Sequence, residues 1–497
     1  MFADESLDPV EFGSAWRKER LVSEQGCQTR DLQTEESEVQ AIERADVEIQ
    51  TDLGVDLDYD IEQDDSPELA RFLAKVAPEM CKQLDQNSRS HAFDGYDINW
   101  DEENLAVSSI HTLSYPEMEQ LNVTALSWNS TGSVLAASYG NLNHEDWCTH
   151  KSALCTWNLD RRTVEPNKPD TVIDLASCLM CISFHPLQPS WILGGTFDGE
   201  VIVWDTSKDT DMIVATTGIG DDSHREPVSK VHWVQDPGSK GKRYNICSVS
   251  SDGKILIWKM DQQHGTLKLK DGHILLTESL PRSMRVRAKR GDQEMGVTCI
   301  SFSKEDSETF VIGSESGGLF KCSSNFRGTP AGRNVTCSVD LRSPVTFTLQ
   351  PHHGPVYSVD LSPYHRNLVL SSGTDTTARI YSMLQAQPIV TIEPGAGYLF
   401  SAKWSPVRPL VFAVATEDGQ LLLYDLKSNQ ATPVHKLPAS PTKQPVYTLQ
   451  FNQHQRQLLA TGDGAGVIQV WQLSDDLSTQ QPKEVETLAE VAELASE

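Results

Sequence analysis

GGTFDGEVIVWDT (residues 194–206) and VSSDGKILIWKM (residues 249–260) each set an Asp–Gly pair between two apolar runs and end near a Trp. Asp–Gly tolerates the positive φ of a tight hairpin, so each stretch predicts strand, turn, strand. Working outward, two anchor positions recur seven times. The first ends an alternating apolar run at Trp128, Phe184, Trp233, Phe302, Leu361, Trp404 and Phe451. The second ends another at Trp157, Trp204, Trp258, Cys322, Tyr381, Tyr424 and Trp471. Separations within pairs are 29, 20, 25, 20, 20, 20 and 20 residues; the two longer ones are the signature of loop insertions. Five residues before the second anchor stands a glycine in five repeats: Gly199, Gly253, Gly317, Gly419 and Gly466.

Each repeat reads as three strands followed by a more variable outer strand. Successive second anchors lie 43–64 residues apart, the spacing of four-stranded propeller blades. The expected fold is all-β: a seven-bladed β-propeller over residues 104–474. It is preceded by an acidic leader (1–65), an amphipathic helix (66–86) and a linker (87–103), and followed by an acidic tail (475–497) with one short helix. The seventh blade lacks an outer strand after Trp471, and LAVSSIHTLSY (105–115) is placed to supply it.

Charge separates the parts. The 497 residues carry 42 Lys+Arg against 70 Asp+Glu, a net charge of −28. Residues 1–100 hold 25 acids and 9 bases, a net of −16; residues 475–497 hold 7 and 1, a net of −6. The middle is close to balanced, as on an ordinary globular surface. Residues 1–65 have few aromatics and no sustained apolar pattern, which predicts disorder in isolation. Such acidity excludes nucleic acid as a main partner, because phosphate binding needs a basic footprint. No stretch approaches the ~18 apolar residues of a membrane helix, so membrane insertion is not expected. The acidic first ten residues do not read as a targeting peptide, which suggests a reducing, intracellular setting.

The segments around Asp198–Gly199 and Asp252–Gly253 resemble WD repeats, although only Trp204–Asp205 keeps the terminal Trp–Asp pair. HHGPVYSVDLSPYHRNLVLSSGTDTTARIYS (352–382) and CLMCISFHPLQPSWILGGTFDGEVIVWDT (178–206) resemble dynein intermediate chains, most of all the smaller one of the retrograde intraflagellar-transport dynein. That resemblance implies a non-catalytic motor subunit. Its propeller would bind the dynein heavy-chain tail, and its leader would recruit light chains beside a second intermediate chain. The implied setting is cytoplasm, cytoskeleton and cilium, with axoneme and basal body. The competing class is a generic WD-repeat scaffold or adaptor, such as a ubiquitin-ligase substrate receptor; fold alone does not separate the two.

Within the leader, GCQTRD (26–31), DLQTEE (31–36) and EIQTDLG (48–54) resemble the peptide bound by the eight-kilodalton dynein light chain. Each groove of that dimer takes an extended segment as an added strand. The first two pairs are too close for two dimers, so the preferred segments are Cys27, Gln28 and Thr29 with Ile49, Gln50 and Thr51. In the helix, Ser66 suits the N-cap and Pro67 the first turn, while Pro78 is expected to kink it. Leu69, Phe72, Leu73, Val76, Met80 and Leu84 share an arc of about 120°. This stripe can dock on the propeller or enter a partner groove; the resemblance favours a roadblock-type light chain.

No catalytic constellation emerges from spacing, and no cofactor or metal is assigned. Cys178-x-x-Cys181 lies in a strand-like stretch without a second pair, which predicts core cysteines. Cys148, His150 and Cys155 fall in the insertion of repeat one. His352–His353–Gly354 reads as blade structure. The one basic run, Arg282, Arg285, Arg287, Lys289 and Arg290, is either a solvated loop or a contact for an acidic partner.

Overall fold

The computed structural model describes residues 67–88 and 107–493, except 119–120, 145–147, 149, 240, 282–283, 285–293, 333–334 and 430. The three Gln–Thr segments, Ser66 and the basic run at Arg282, Arg285, Arg287, Lys289 and Arg290 lie outside the described residues. The chain divides into two compact units, Met1–Tyr96 and Asp97–Glu497.

The first unit contains α1 (Pro67–Ser88), which runs two residues beyond the expected end. Pro78 sits inside an unbroken helix. It has no N–H to give the Ala74 carbonyl, so one rung of the ladder is missing there. Phe72, Met80 and Leu84 are 59%, 58% and 63% exposed, so the stripe is laid out on the helix surface, with Val76 more covered.

The second unit opens with β1 (Val107–Ser114) and continues as antiparallel sheets. Sheet one comprises β2 (Asn122–Trp128), β3 (Val134–Gly140), β4 (Ser152–Asn158) and β5 (Thr171–Leu175). Sheet two is β6 (Leu179–Phe184), β7 (Trp191–Thr196), β8 (Val201–Asp205) and β9 (Ile213–Thr216). Sheet three is β10 (Val228–Gln235), β11 (Tyr244–Ser250), β12 (Lys254–Asp261) and β13 (Thr266–Ile274), joined to sheet two through one parallel pair, Thr266 and Thr216. Sheet four is β14 (Val297–Phe302), β15 (Thr309–Ser314), β16 (Leu319–Ser323) and β17 (Val345–Leu349). Sheet five is β18 (Val356–Leu361), β19 (Leu368–Gly373), β20 (Ala378–Ser382) and β21 (Pro388–Ile392). Sheet six is β22 (Leu399–Trp404), β23 (Val411–Thr416), β24 (Gln420–Asp425) and β25 (His435–Pro438). Sheet seven is β26 (Val446–Phe451), β27 (Leu458–Asp463) and β28 (Val467–Leu473), with β1 as its outer strand, from Val107 opposite Leu473 to Ser114 opposite Val467.

These four-stranded sheets are of the WD40-propeller kind. Their first strands touch in a cycle: β2, β6, β10, β14, β18, β22, β26 and back to β2. Every sheet-to-sheet junction carries its own apolar cluster, as with Leu179, Ile192 and Trp204 against Ala125, Ala136 and Leu154. The second anchors are all buried, Trp157 and Trp204 to 1% exposure. Burying one such side chain is worth about 1.5–3 kcal/mol, so the repeat is maintained by packing. Cys322 is small, and Phe310 stands directly opposite it across the sheet, filling the junction with its own ring. The five repeated glycines all adopt positive φ, from 76° to 89°. At Gly317 a Cβ would meet the His352 carbonyl oxygen at 2.4 Å, so both conformation and space require glycine.

After β28 come α2 (Asp475–Ser478) and α3 (Glu484–Glu493). Leu488 and Ala492 join the cluster between sheets five and six, and Leu477 that between six and seven. Residues 475–493 of the acidic tail are thus part of the packed unit.

Candidate functional site

Two constellations have the residue types of a hydrolase triad. In sheet three, His224 Nδ1 lies 3.2 Å from Asp252 and its Nε2 lies 2.7 Å from Ser248 Oγ, which also accepts from Trp258 Nε1 at 2.8 Å. In sheet five, His352 Nδ1 lies 2.9 Å from Asp375, and its Nε2 lies 2.7 Å from Ser371 Oγ. The Tyr381 hydroxyl donates to the Gln350 carbonyl at 2.8 Å. Burial pushes His352 below its ordinary value. Burial acts to raise Asp375, but bonds from His352 and Thr377 and the charge of Arg379 outweigh it and hold that carboxyl well below its usual range. Ser248, Ser371 and His352 are fully buried. No substrate reaches either serine, so these sets tie strands to hairpins and perform no catalysis.

The cycle of first strands encloses a cavity of about 120 Å³, lined by residues from all seven, among them Ser127, Ser183, Lys230, His232, Lys403 and Thr448. Burial lowers Lys230. Burial and the nearby Lys403 and Lys230 charges push His232 down to about 4. Lys403 is paired with Asp360 at 3.2 Å. The space is narrow and suits water rather than a metabolite.

At one mouth of this channel stand aromatic rings. Phe400 lies 5.1 Å from Tyr357 and 4.9 Å from Tyr447, and 6.4 Å from Tyr398. Tyr357 and Tyr398 are 37% and 43% exposed. Val356, which precedes Tyr357, pairs with Gly373 at the end of β19, and Glu417 at the β23–β24 turn bonds back to Tyr398. The rings therefore lie on the face that carries the hairpin turns. Exposed aromatics held by a rigid sheet are the side chains that anchor protein interfaces.

The chain matches the family described as Dynein axonemal intermediate chain 3 WD40 domain over residues 125–257 and 293–473. It is 44% identical over 492 residues to the Mus musculus Cytoplasmic dynein 2 intermediate chain 2, covering 98% of this chain and 91% of that protein. This chain belongs to the dynein intermediate chains. The Homo sapiens Cytoplasmic dynein 2 intermediate chain 2 is 46% identical over 437 residues, covering 86% of this chain and 81% of its own. The ciliary Dynein intermediate chain 3 of Heliocidaris crassispina is 27% identical, over 85% of this chain and 66% of that one. As an intermediate chain of the cytoplasmic dynein 2 type, the dynein of retrograde intraflagellar transport, it is a non-catalytic subunit.

Of the site residues expected from the intermediate chain's sequence, the α1 stripe is exposed, while the Gln–Thr segments and the basic run are outside the described residues. Cys155 is a core residue of sheet one, and Cys181 Sγ points to the Val228 carbonyl at 3.3 Å. The aromatic mouth was not read from sequence. Its signal was present: an aromatic at the second position of the first strand in repeats five, six and seven, Tyr357, Phe400 and Tyr447.

Proposed function

We propose that this intermediate chain acts as a closed seven-bladed platform that binds the dynein heavy-chain tail on its hairpin-bearing face. The carrying observation is the aromatic group at the channel mouth, Tyr357 and Tyr398 exposed beside the half-buried Phe400 and Tyr447, on a rigid ring whose triad-like sets are buried. The leader recruits light chains: the segments around Gln28–Thr29 and Gln50–Thr51 each occupy one groove of an eight-kilodalton light-chain dimer, with a second intermediate chain in the opposite groove. The stripe Leu69, Phe72, Leu73, Val76, Met80 and Leu84 of α1 takes a roadblock-type light chain, and the exposure of all but Val76 supports that reading. The subunit works in cytoplasm and cilium, on the axoneme and at the basal body.

Once one light-chain dimer has joined two leaders, the next binds with the advantage of high effective concentration. Recovery of light chains by residues 1–96 and of the heavy-chain tail by residues 97–497 tests the division. Replacing both Gln–Thr pairs by Ala–Ala should weaken light-chain recovery more than either change alone. Undiminished recovery by the double variant rejects the leader assignment.

A further inference from the structure

Six of the seven sheets join their second and third strands through short turns. Sheet one does not: β3 ends at Gly140 and β4 begins at Ser152, leaving an eleven-residue connection, 141–151. Its described residues belong to no strand, and a connection of that length needs another anchor. Within it stand His144, Cys148 and His150, and the chain brings Cys178, immediately before β6 of sheet two, against them. One donor atom from each of the four lies within 4.8 Å of all the others. His144 Nε2 is 3.3 Å from Cys148 Sγ. The Cys178 backbone N–H donates to Cys148 Sγ at 3.1 Å, and the Asn141 N–H donates to Cys178 Sγ at 3.3 Å. Backbone N–H groups aimed at sulfur are the supporting contacts found around metal-bound cysteines.

A second observation points the same way. Nδ1 of His144 and Nδ1 of His150 are buried without a hydrogen-bond partner among the described residues. Leaving such atoms unpaired is costly unless something else binds there. The His144 ring stacks on Phe197 at 3.9 Å and meets His150 edge-on at 5.1 Å, which fixes both imidazoles and walls off one side. Among the described residues this is the one group of three or more His, Cys, Asp or Glu donors close enough to share an ion.

We propose that His144, Cys148, His150 and Cys178 form a structural zinc site that staples the long connection of sheet one to the entry of sheet two. Two thiolates and two imidazoles are a tetrahedral zinc set; bond lengths near 2.0–2.3 Å put neighbouring donors about 3.3–3.8 Å apart, a slight contraction of what is seen. Binding displaces the two thiol protons to solvent and leaves the site neutral, Zn²⁺ against two thiolates. With four protein ligands there is no open position for water, so the role is structural. Sequence spacing hides the site because Cys178 lies 28 residues after His150 and belongs to the next repeat.

The test uses the full chain, purified without chelator. Elemental analysis should find one zinc per chain, and this should fall at least tenfold in Cys148→Ser and in Cys178→Ser, while Cys337→Ser, a control outside the cluster, keeps it. Cobalt(II) exchanged into the wild type should give the intense visible bands of tetrahedral S₂N₂ coordination, a readout that does not depend on a variant folding. Wild-type chain with no more zinc than Cys148→Ser, or cobalt spectra of octahedral type, overturns the proposal. A Cys148–Cys178 disulfide in metal-free protein from reducing cytoplasm also overturns it.

Discussion

Arg408 is buried to 2% exposure, and its Nε donates to Glu484 Oε1 at 2.9 Å, tying sheet six to the first turn of α3. The same guanidinium reaches Asp425 at 3.0 Å and the Asp476 carbonyl at 2.6 Å, so one side chain holds both tail helices. Removing one partner of a buried pair leaves the other charge stranded, at about 3–5 kcal/mol. Arg408→Ala and Glu484→Ala should each lower Tm by several degrees, and the double variant by less than the sum. An unchanged Tm in Arg408→Ala would show that the tail is not held this way.

Closure of the ring depends on β1, which gives sheet seven its fourth strand. A chain starting at residue 118 loses Leu113, fully buried between sheets one and seven, along with the whole β1–β28 ladder. It should melt well below a chain starting at residue 97, with urea unfolding as the check. Equal midpoints for the two truncations would contradict the role given to β1.

Repeat five places Thr376 at the turn position held by glycine in five other repeats, with φ of 61°. A β-branched residue is strained there, by about 1–3 kcal/mol. Thr376→Gly should therefore stabilise by about 0.5–1 kcal/mol. Gly253→Ala should do the reverse, because its Cβ would stand 2.9 Å from the Met295 carbonyl oxygen. Calorimetry on the two variants reads both signs.

Acid should loosen the propeller before its carboxylates titrate. Burial pushes His185 and His273 down to about 4, and burial with two lysine charges does the same for His232. In the unfolded chain these groups protonate near 6.5, so between about 6.5 and 4 the unfolded state binds more protons and stability falls with pH. Each contributes on the order of 1 kcal/mol per pH unit in that window. Stability should be level above pH 7 and drop steeply from 6 to 5; a flat profile over that interval would refute the assignment.

The repeat was legible because it is written in large buried side chains, and packing tolerates little else at Trp157, Trp204 or Tyr381. The β1 closing strand was legible for the same reason: an apolar run adjoining a repeat array that lacked an edge. The helix runs on through Pro78 because a long helix survives one missing hydrogen bond. The packing of the tail helix was not legible because Leu488 and Ala492 find their partner only once sheets five and six have met. The Cys–His cluster was not legible because Cys148 and His150 of one repeat meet Cys178 of the next in space and not in sequence, while Cys155 turns into the core.

The proposed seat of the heavy-chain tail is the hairpin face of the ring. The most direct measurement is the affinity of a purified heavy-chain tail for the full-length intermediate chain carrying Tyr357→Ser and Tyr398→Ser together, the two exposed rings of the group. Aromatic anchors at an interface are each worth about 2 kcal/mol or more, so binding should weaken at least about 100-fold, with light-chain binding and Tm close to wild type. Wild-type affinity for the heavy-chain tail in that variant would contradict the account.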